Sequence, residues 1–310
     1  MFQRKQVAAA LALCACGLSA QAETLIGLTT TNMLVRFDSS TPTNAASPVL
    51  VQGLMGSNER LIGLDLRPAT GALYGLSDAG RLYTLNSTTG MASFVAALMA
   101  DPSDSSSPFT ALAGTSFAVD FNPVPDLGQT AASLRVMSNS GQNLRINVNA
   151  AAAGRTTTDG MLNGATTRLD AVAYTNNDRN PATGTALFGI DASTDMLYRV
   201  GTPNNGDTIA VGSLGVDTSG VAGFDISGAT GMAYAALTDG DTGKSMLYTI
   251  DLMTGAATAL GAFGLQGSTA IAPPLLDITV AAVPEPETYA LMLGGLALLG
   301  AARRRAQARS

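Results

Sequence analysis

One block of residues, written twice along the chain, constrains the fold more than any other feature. Leu61-Ile62-Gly63-Leu64-Asp65-Leu66-Arg67-Pro68-Ala69-Thr70-Gly71-Ala72-Leu73-Tyr74-Gly75-Leu76 returns as Val221-Ala222-Gly223-Phe224-Asp225-Ile226-Ser227-Gly228-Ala229-Thr230-Gly231-Met232-Ala233-Tyr234-Ala235-Ala236-Leu237. A weaker copy runs from Phe117 to Pro123 and a degenerate one from Asp170 to Asn177. A second motif follows each copy: Arg81-Leu82-Tyr83-Thr84-Leu85 is matched by Met246-Leu247-Tyr248-Thr249-Ile250, with looser versions at Asn143–Asn147, Leu187–Asp191 and Met33–Asp38. The equivalent positions Asp65, Asp120, Ala173 and Asp225 lie 55, 53 and 52 residues apart. That spacing is near the period of four-stranded propeller blades.

Each unit reads as strand, Pro-Ala-Thr-Gly type turn, strand, short loop, the Leu-Tyr-Thr-Ile strand, Thr-Thr-Gly turn and a fourth strand such as Met91–Ala97 or Ala256–Gly261. The runs are short, β-branched or alternating, and broken by Gly, Asn, Asp, Thr and Pro, which is an all-β pattern. A four-stranded sheet of this kind cannot bury both faces alone, whereas a ring packs each face on a neighbour and protects the edges. The expected architecture is a five-bladed β-propeller. A six-bladed ring is the alternative if Ala96–Ala113 or Ala150–Leu169 hides strands. The first unit, from Thr24, lacks an innermost strand, and Ser268–Pro274 reads as the missing piece, closing the ring. The matched tyrosines Tyr74, Tyr83, Tyr234 and Tyr248 read as blade packing rather than as a stacking platform.

The extremities read as addresses, dividing the chain into residues 1–22, a propeller domain over 23–282, and a sorting segment over 283–310. Arg4 and Lys5 precede the apolar run Val7–Leu18, which is too short for a permanent span, and Ala20-Gln21-Ala22 supplies the small residues read by signal peptidase. A cut after Ala22 is expected. Leu13-Cys14-Ala15-Cys16 permits a lipoprotein-signal reading instead. Both cysteines, Cys14 and Cys16, lie in this leader, so the exported chain has no thiol.

At the other end, Pro284-Glu285-Pro286 precedes an apolar stretch, Tyr289–Ala302, and a basic stop, Arg303-Arg304-Arg305. This order resembles the PEP-CTERM sorting signal of Gram-negative bacteria. The resemblance implies a short membrane helix, cutting near Pro284–Pro286 by an exosortase-type enzyme, and transfer from the inner membrane to the cell surface or extracellular matrix. A plain anchor is the alternative. Within the middle, Leu25–Thr29, Leu34–Asp38, Gly63–Asp65, Phe117–Pro123 and Gly141–Asn147 resemble the bacterial family called domain of unknown function 4394. That family assigns no activity and no catalytic residues.

Composition then excludes several chemistries. Histidine is absent, so no Ser-His or Cys-His nucleophile pair and no His-ligated metal site is possible. Residues 23–282 hold 11 basic against 21 acidic residues, with Lys244 the one lysine, which speaks against nucleic acid as a partner. Asp65, Asp120 and Asp225 occupy equivalent innermost positions and could gather at the axis around Ca²⁺; the local alternative is a carboxylate accepting N–H groups of its own Asp-x-x-Pro turn. Arg135 and Arg145 flank a hairpin on otherwise apolar strands. They could face the axial channel and grip an anionic sugar or carboxylate, or pair with an aspartate such as Asp120 to tie blades together. Asp239–Gly243 and Asp101–Pro108 read as an exposed hairpin tip and a solvated loop.

Together these features suggest an exported propeller that binds an extracellular polysaccharide or envelope protein without catalysis. The alternative is a Ca-dependent, lactonase-like or lyase-like enzyme using the axial carboxylates.

Overall fold

The computed structural model describes residues 22–128, 131–178 and 180–281. Blade one begins with β1 (Thr24–Thr29), β2 (Met33–Asp38) and β3 (Val49–Leu50); blade two holds β4 (Leu61–Leu66), β5 (Leu73–Ser77), β6 (Arg81–Leu85) and β7 (Ala92–Ala97). After the short β8 (Met99–Ala100), blade three holds β9 (Phe117–Phe121), β10 (Leu134–Ser138), β11 (Asn143–Ile146) and β12 (Arg155–Thr158), with a short helix α1 (Pro123–Gly128) after β9. The short β13 (Asn163–Gly164) precedes blade four: β14 (Ala171–Tyr174), β15 (Leu187–Asp191), β16 (Met196–Thr202) and β17 (Asp207–Ser213). Blade five is β18 (Ala222–Ile226), β19 (Ala233–Thr238), β20 (Ser245–Ile250) and β21 (Ala257–Ala262), and the last strand is β22 (Leu275–Val280).

The innermost strands touch in the order β22, β4, β9, β14, β18 and back to β22, which closes a five-bladed ring. The β22 strand pairs antiparallel with β1 and completes blade one, so both ends of the domain share one sheet. The expectation that the C-terminal end closes the ring therefore holds, but the strand is Leu275–Val280 rather than Ser268–Pro274. Pro273 and Pro274 have no N–H to give a ladder, and pairing starts at the first residue beyond them.

The strands inside Ala96–Ala113 and Ala150–Leu169 build no sixth blade among the described residues. Arg155–Thr158 is the fourth strand of blade three, while β8 and β13 add parallel pairs to the outer edges of blades three and four. These additions cover edges that would otherwise expose unpaired backbone.

Five apolar clusters fill the five blade interfaces. Leu64 and Tyr83 of blade two pack with Leu28 and Leu34 of blade one; Phe121 and Ile146 pack with Tyr74 and Leu82; Tyr174 and Tyr198 with Ala118 and Met137; Phe224 and Tyr248 with Phe188 and Ile190; Leu25 and Phe37 with Tyr234 and Leu247. Tyr74, Tyr83, Tyr234 and Tyr248 are all buried, and the Tyr74 ring meets Phe121 of the next blade edge-on at 5.5 Å.

The glycine two residues before the repeated aspartate has a definite purpose at the axis. A Cβ on Gly223 would lie 2.6 Å from the Asp277 Cα, and one on Gly63 would lie 2.4 Å from Val119 Cγ2. Innermost strands can approach this closely only if one of them has no side chain there.

Candidate functional site

The Gly-x-Asp motif brings Asp65, Asp120 and Asp225 to the axis, where ligand oxygens of the three lie within 4.8 Å of one another. None is more than 2% exposed. Their hydrogen bonds serve both roles: Asp65 Oδ1 accepts locally from Leu66 N and Asp225 Oδ1 from Ile226 N, each at 2.6 Å, while one oxygen of each of the three joins a neighbouring blade. Asp65 Oδ2 accepts from Phe121 N of blade three at 2.8 Å, Asp120 Oδ1 from Tyr174 N of blade four at 3.1 Å, and Asp225 Oδ2 from Val280 N of blade one at 2.6 Å. Asp277 continues the pattern by accepting from Leu64 N of blade two at 2.9 Å. Blade four has Ala173 at this level, and the Ile226 N–H it would have faced is met by the oxygen of Asp225 itself.

The Thr279 hydroxyl stands 2.8 Å from Asp65 Oδ1 and 3.0 Å from Asp225 Oδ2, donating to one at a time. Burial pushes all four carboxyls upward: Asp225 to about 6, and Asp65, Asp120 and Asp277 well above the usual range. The charge of Asp225 adds to the rise at Asp65, and those of Asp65 and Asp225 to the rise at Asp120. Three carboxylates form an oxygen-only set of the kind that suits Ca²⁺ or Mg²⁺.

Replacing Thr279 by Val keeps the volume and removes the donor shared by Asp65 and Asp225. The variant is expected to lose about 1–3 kcal/mol of stability at pH 7.5 by chemical denaturation. At pH 5 the loss should shrink, because a protonated carboxyl then supplies a donor. An equal loss at both pH values would show that the hydroxyl does not serve the carboxylate pair.

Arg135 and Arg145 lie opposite each other on β10 and β11. They line a cavity of about 200 Å³ together with residues of blades three and four, among them Asn122, Ser133, Tyr174 and Asn204. Their carboxylate is Asp159 and not Asp120. Arg135 Nη1 meets Asp159 Oδ2 at 2.5 Å, and Arg145 binds both Asp159 oxygens through Nε at 2.7 Å and Nη2 at 2.8 Å. Asp120 faces Arg135 across β9 and β10, yet its oxygen turns to the Tyr174 N–H.

Arg135 is 2% exposed and spends its other donors on the Tyr174 hydroxyl at 3.2 Å, Asn143 Oδ1 at 2.9 Å and Asn204 Oδ1 at 2.7 Å. The Arg145 side chain is 31% exposed, and among the described residues nothing takes its Nη1. Pairing with Asp159 raises the Arg145 guanidinium above its ordinary value.

The sequence reading missed Asp159, Asn204, Asp277 and Thr279. The first two sit in loops without repeat signal, and the last two belong to a strand separated from its blade by most of the chain. A second, larger groove of about 570 Å³ runs between the Thr31-Asn32 turn and Leu50–Arg60. The tip at Asp239 is the exposed hairpin expected, its Oδ1 accepting from Thr242 N and Oγ1. The Asp101 loop is closed by its own Ser103, and Asp104 reaches back to Thr158 N.

Ala22 is exposed, and Ala20, Pro284, Glu285, Pro286, Arg303, Arg304 and Arg305 lie outside the described residues. Among the described residues no helix is long and apolar enough to cross a membrane.

No curated protein matches the chain. Among solved structures, a Kuenenia stuttgartiensis hydrazine synthase chain is similar with a TM-score of 0.40 at 10% identity, covering 69% of this chain and 53% of that one. The present chain thus spans about half the length of that relative. A structural-genomics protein of unknown function from Bacteroides thetaiotaomicron gives 0.47 at 12% identity, covering 86% and 68%. The extracellular domain of a one-component system from B. thetaiotaomicron gives 0.37 at 12% identity, covering 80% and 29%. A PEP-CTERM protein-sorting motif matches residues 282–306, which supports export, surface sorting and processing by exosortase-type machinery. The Domain of unknown function (DUF4394) profile matches residues 33–272, from β2 to the loop before the closing strand, and the chain belongs to that family.

Proposed function

We propose that this propeller is a non-enzymatic binding module of the bacterial envelope that takes an anionic group, such as the carboxylate of an acidic extracellular polysaccharide, at the Arg135–Arg145 cavity. The observation that carries the reading is two guanidiniums sharing the single carboxylate of Asp159 beside a small polar cavity, in a domain that is otherwise acidic. Arg135 is held rigid by Tyr174, Asn143 and Asn204 and contributes a fixed buried positive charge, while Arg145 offers Nη1, which has no partner among the described residues, for a direct charge-assisted contact. Export through a signal-peptidase cut after Ala22, an inner-membrane stage held by Tyr289–Ala302, and delivery to the surface or matrix belong to the same reading.

The test is calorimetric titration with a uronic-acid oligomer and with a neutral oligosaccharide of equal length. The acidic oligomer should bind and the neutral one should not, and Arg145→Gln should weaken binding by about tenfold or more, the worth of one charge-assisted contact. Equal affinity for both oligomers, or an unchanged constant in Arg145→Gln, would remove the reading.

A Ca-dependent lactonase-like or lyase-like activity is favoured by the closeness of the Asp65, Asp120 and Asp225 oxygens. Their burial argues that any cation there would brace the ring rather than meet a substrate. A rise in melting temperature with Ca²⁺ that EDTA reverses would support the bracing cation, and turnover that depends on Ca²⁺ would overturn the non-enzymatic reading.

A further inference from the structure

The β1–β22 register fixes where both ends of the propeller leave the fold. Leu25 pairs with Val280, and Ala281 N donates to Thr24 O at 2.8 Å, so residues 22–23 and 281 emerge side by side on one face, next to the axis. Glu23 is only 2% exposed. Its carboxylate accepts from Ser227 Oγ at 2.5 Å, Thr230 Oγ1 at 2.9 Å and the Tyr234 hydroxyl at 3.0 Å, all in blade five, and its N–H donates to Ser39 Oγ at 3.0 Å. The preceding Ala22 is exposed. The expected leader cut thus falls at the step from solvent into this latch, and the matched sorting motif begins at residue 282, the residue after Ala281, which leaves by this face.

Chain length then limits how the ring can sit. The eight residues from Ala281 to Tyr289 reach at most about 28 Å when fully extended. To lay the opposite face on a bilayer, the tail would have to cross blade one from its innermost to its outermost strand, about 15 Å, and clear the edge. It would then descend a six-residue strand, about 20 Å more. The path is about 40 Å and exceeds the reach.

We propose that, for as long as the C-terminal segment is embedded, the propeller is held with the Glu23–Ala281 face against the membrane and the opposite face outward. This rests on the reading above that Tyr289–Ala302 enters the bilayer. The loops that carry Asn122, Ser133 and Asn204 lie at the membrane-side end, so the Arg135–Arg145 cavity opens toward the lipid until the anchor is cut. The groove between Thr31 and Arg60 opens on the outward face throughout. Cutting near Pro284–Pro286 then does two things at once: it frees the protein and uncovers the cavity.

The absence of thiols after Cys16 makes the test direct. Thr88→Cys lies in the β6–β7 turn on the membrane side of blade two, and Ala79→Cys in the β5–β6 turn at the far end of the same blade; both positions are exposed. Each is placed in the full chain with Ala for Cys14, Cys16, Pro284, Glu285 and Pro286, labelled with a fluorophore and reconstituted into phosphatidylglycerol–phosphatidylethanolamine vesicles containing a headgroup quencher. The label at 88 is expected to lose its fluorescence and the label at 79 to keep it. Equal quenching, quenching at 79 alone, or none at either position on vesicle-bound protein would overturn the orientation while leaving membrane attachment intact. If the full chain floats with vesicles no better than one ended at 282, the membrane-entering tail itself is refuted and the orientation with it.

Discussion

A chain ended after Pro274, without Leu275–Val280, is expected to lose cooperative unfolding altogether. The strand supplies Leu275 and Ile278 to the interface of blades five and one, each worth about 1.5–3 kcal/mol of burial. It also supplies the Val280 N–H and the Thr279 hydroxyl to Asp225, the Thr279 hydroxyl to Asp65, and Asp277 to Leu64 N. Each buried group left without its hydrogen-bond partner costs about 1–3 kcal/mol. Taken together, these losses are comparable with the whole stability of a domain, about 5–15 kcal/mol. Blade one would also be left without its innermost strand. A chain ended after residue 282 should melt as a single cooperative transition, since its ring is intact. Calorimetry and near-ultraviolet circular dichroism of the two truncations make the comparison, and a native-like melt from the shorter chain would sink the closing role of β22.

In EDTA, the protein should be more stable at pH 5 than at pH 7.5, with melting temperature falling on the order of 5–10 °C across that interval. The sign follows from the axial carboxyls. A carboxyl whose folded value is raised binds its proton more tightly in the folded state, so its contribution is most favourable below the unfolded value and is lost as pH rises through the folded one. For Asp225 that window runs from 3.8 to about 6, and ionising it inside the fold costs about 3 kcal/mol. Asp65, Asp120 and Asp277, also raised by burial, extend the decline to higher pH.

An opposing limb lies at low pH. Glu59 is pushed up by burial, but bonds from Ser77, Gly56 N, Tyr83 and Arg81 outweigh this and hold it below its ordinary value, as local hydrogen bonds do for Asp101. Those contributions are present above the unfolded values and vanish as pH falls through the folded ones. The raised groups start to lose stability above 3.8 and the lowered ones below 4.5 and 3.8, so the two limbs place the maximum at about pH 4. Stability rising steadily from pH 5 to pH 8 in EDTA would show that the axial carboxyls carry no such cost. A decline that Ca²⁺ abolishes would instead mark the cluster as a cation seat.

How much of this was legible beforehand can be judged residue by residue. The repeated Gly-x-Asp and Leu-Tyr-Thr-Ile motifs announced blades, their number and the burial of Tyr74 and Tyr234, because a repeat must satisfy the same packing problem each time it occurs. The equivalence of Asp65, Asp120 and Asp225 marked them as a set that could gather at the axis, without deciding between that and a local role in each turn. Their partners were hidden, because each bonds an N–H about 55 residues away, a pairing with no local spacing to betray it. Ser268–Pro274 misled because its small and β-branched residues resemble a strand, while the prolines that forbid pairing stand at its end. Arg135 and Arg145 were recognisable as unusual on apolar strands, but whether they met Asp120 or Asp159 depended on the path of the loop after β12.

From the amino acids alone came the strand period, the blade count, the acidic histidine-free chemistry and the C-terminal sorting motif, all properties of local pattern and composition. Only the closed ring decided which carboxylates share the axis, which strand locks blade one, and that Glu23 and Ala281 leave by one face. Each of these is a meeting of residues remote in the chain, set by how far and in which direction neighbouring blades turn before the last strand can join the first.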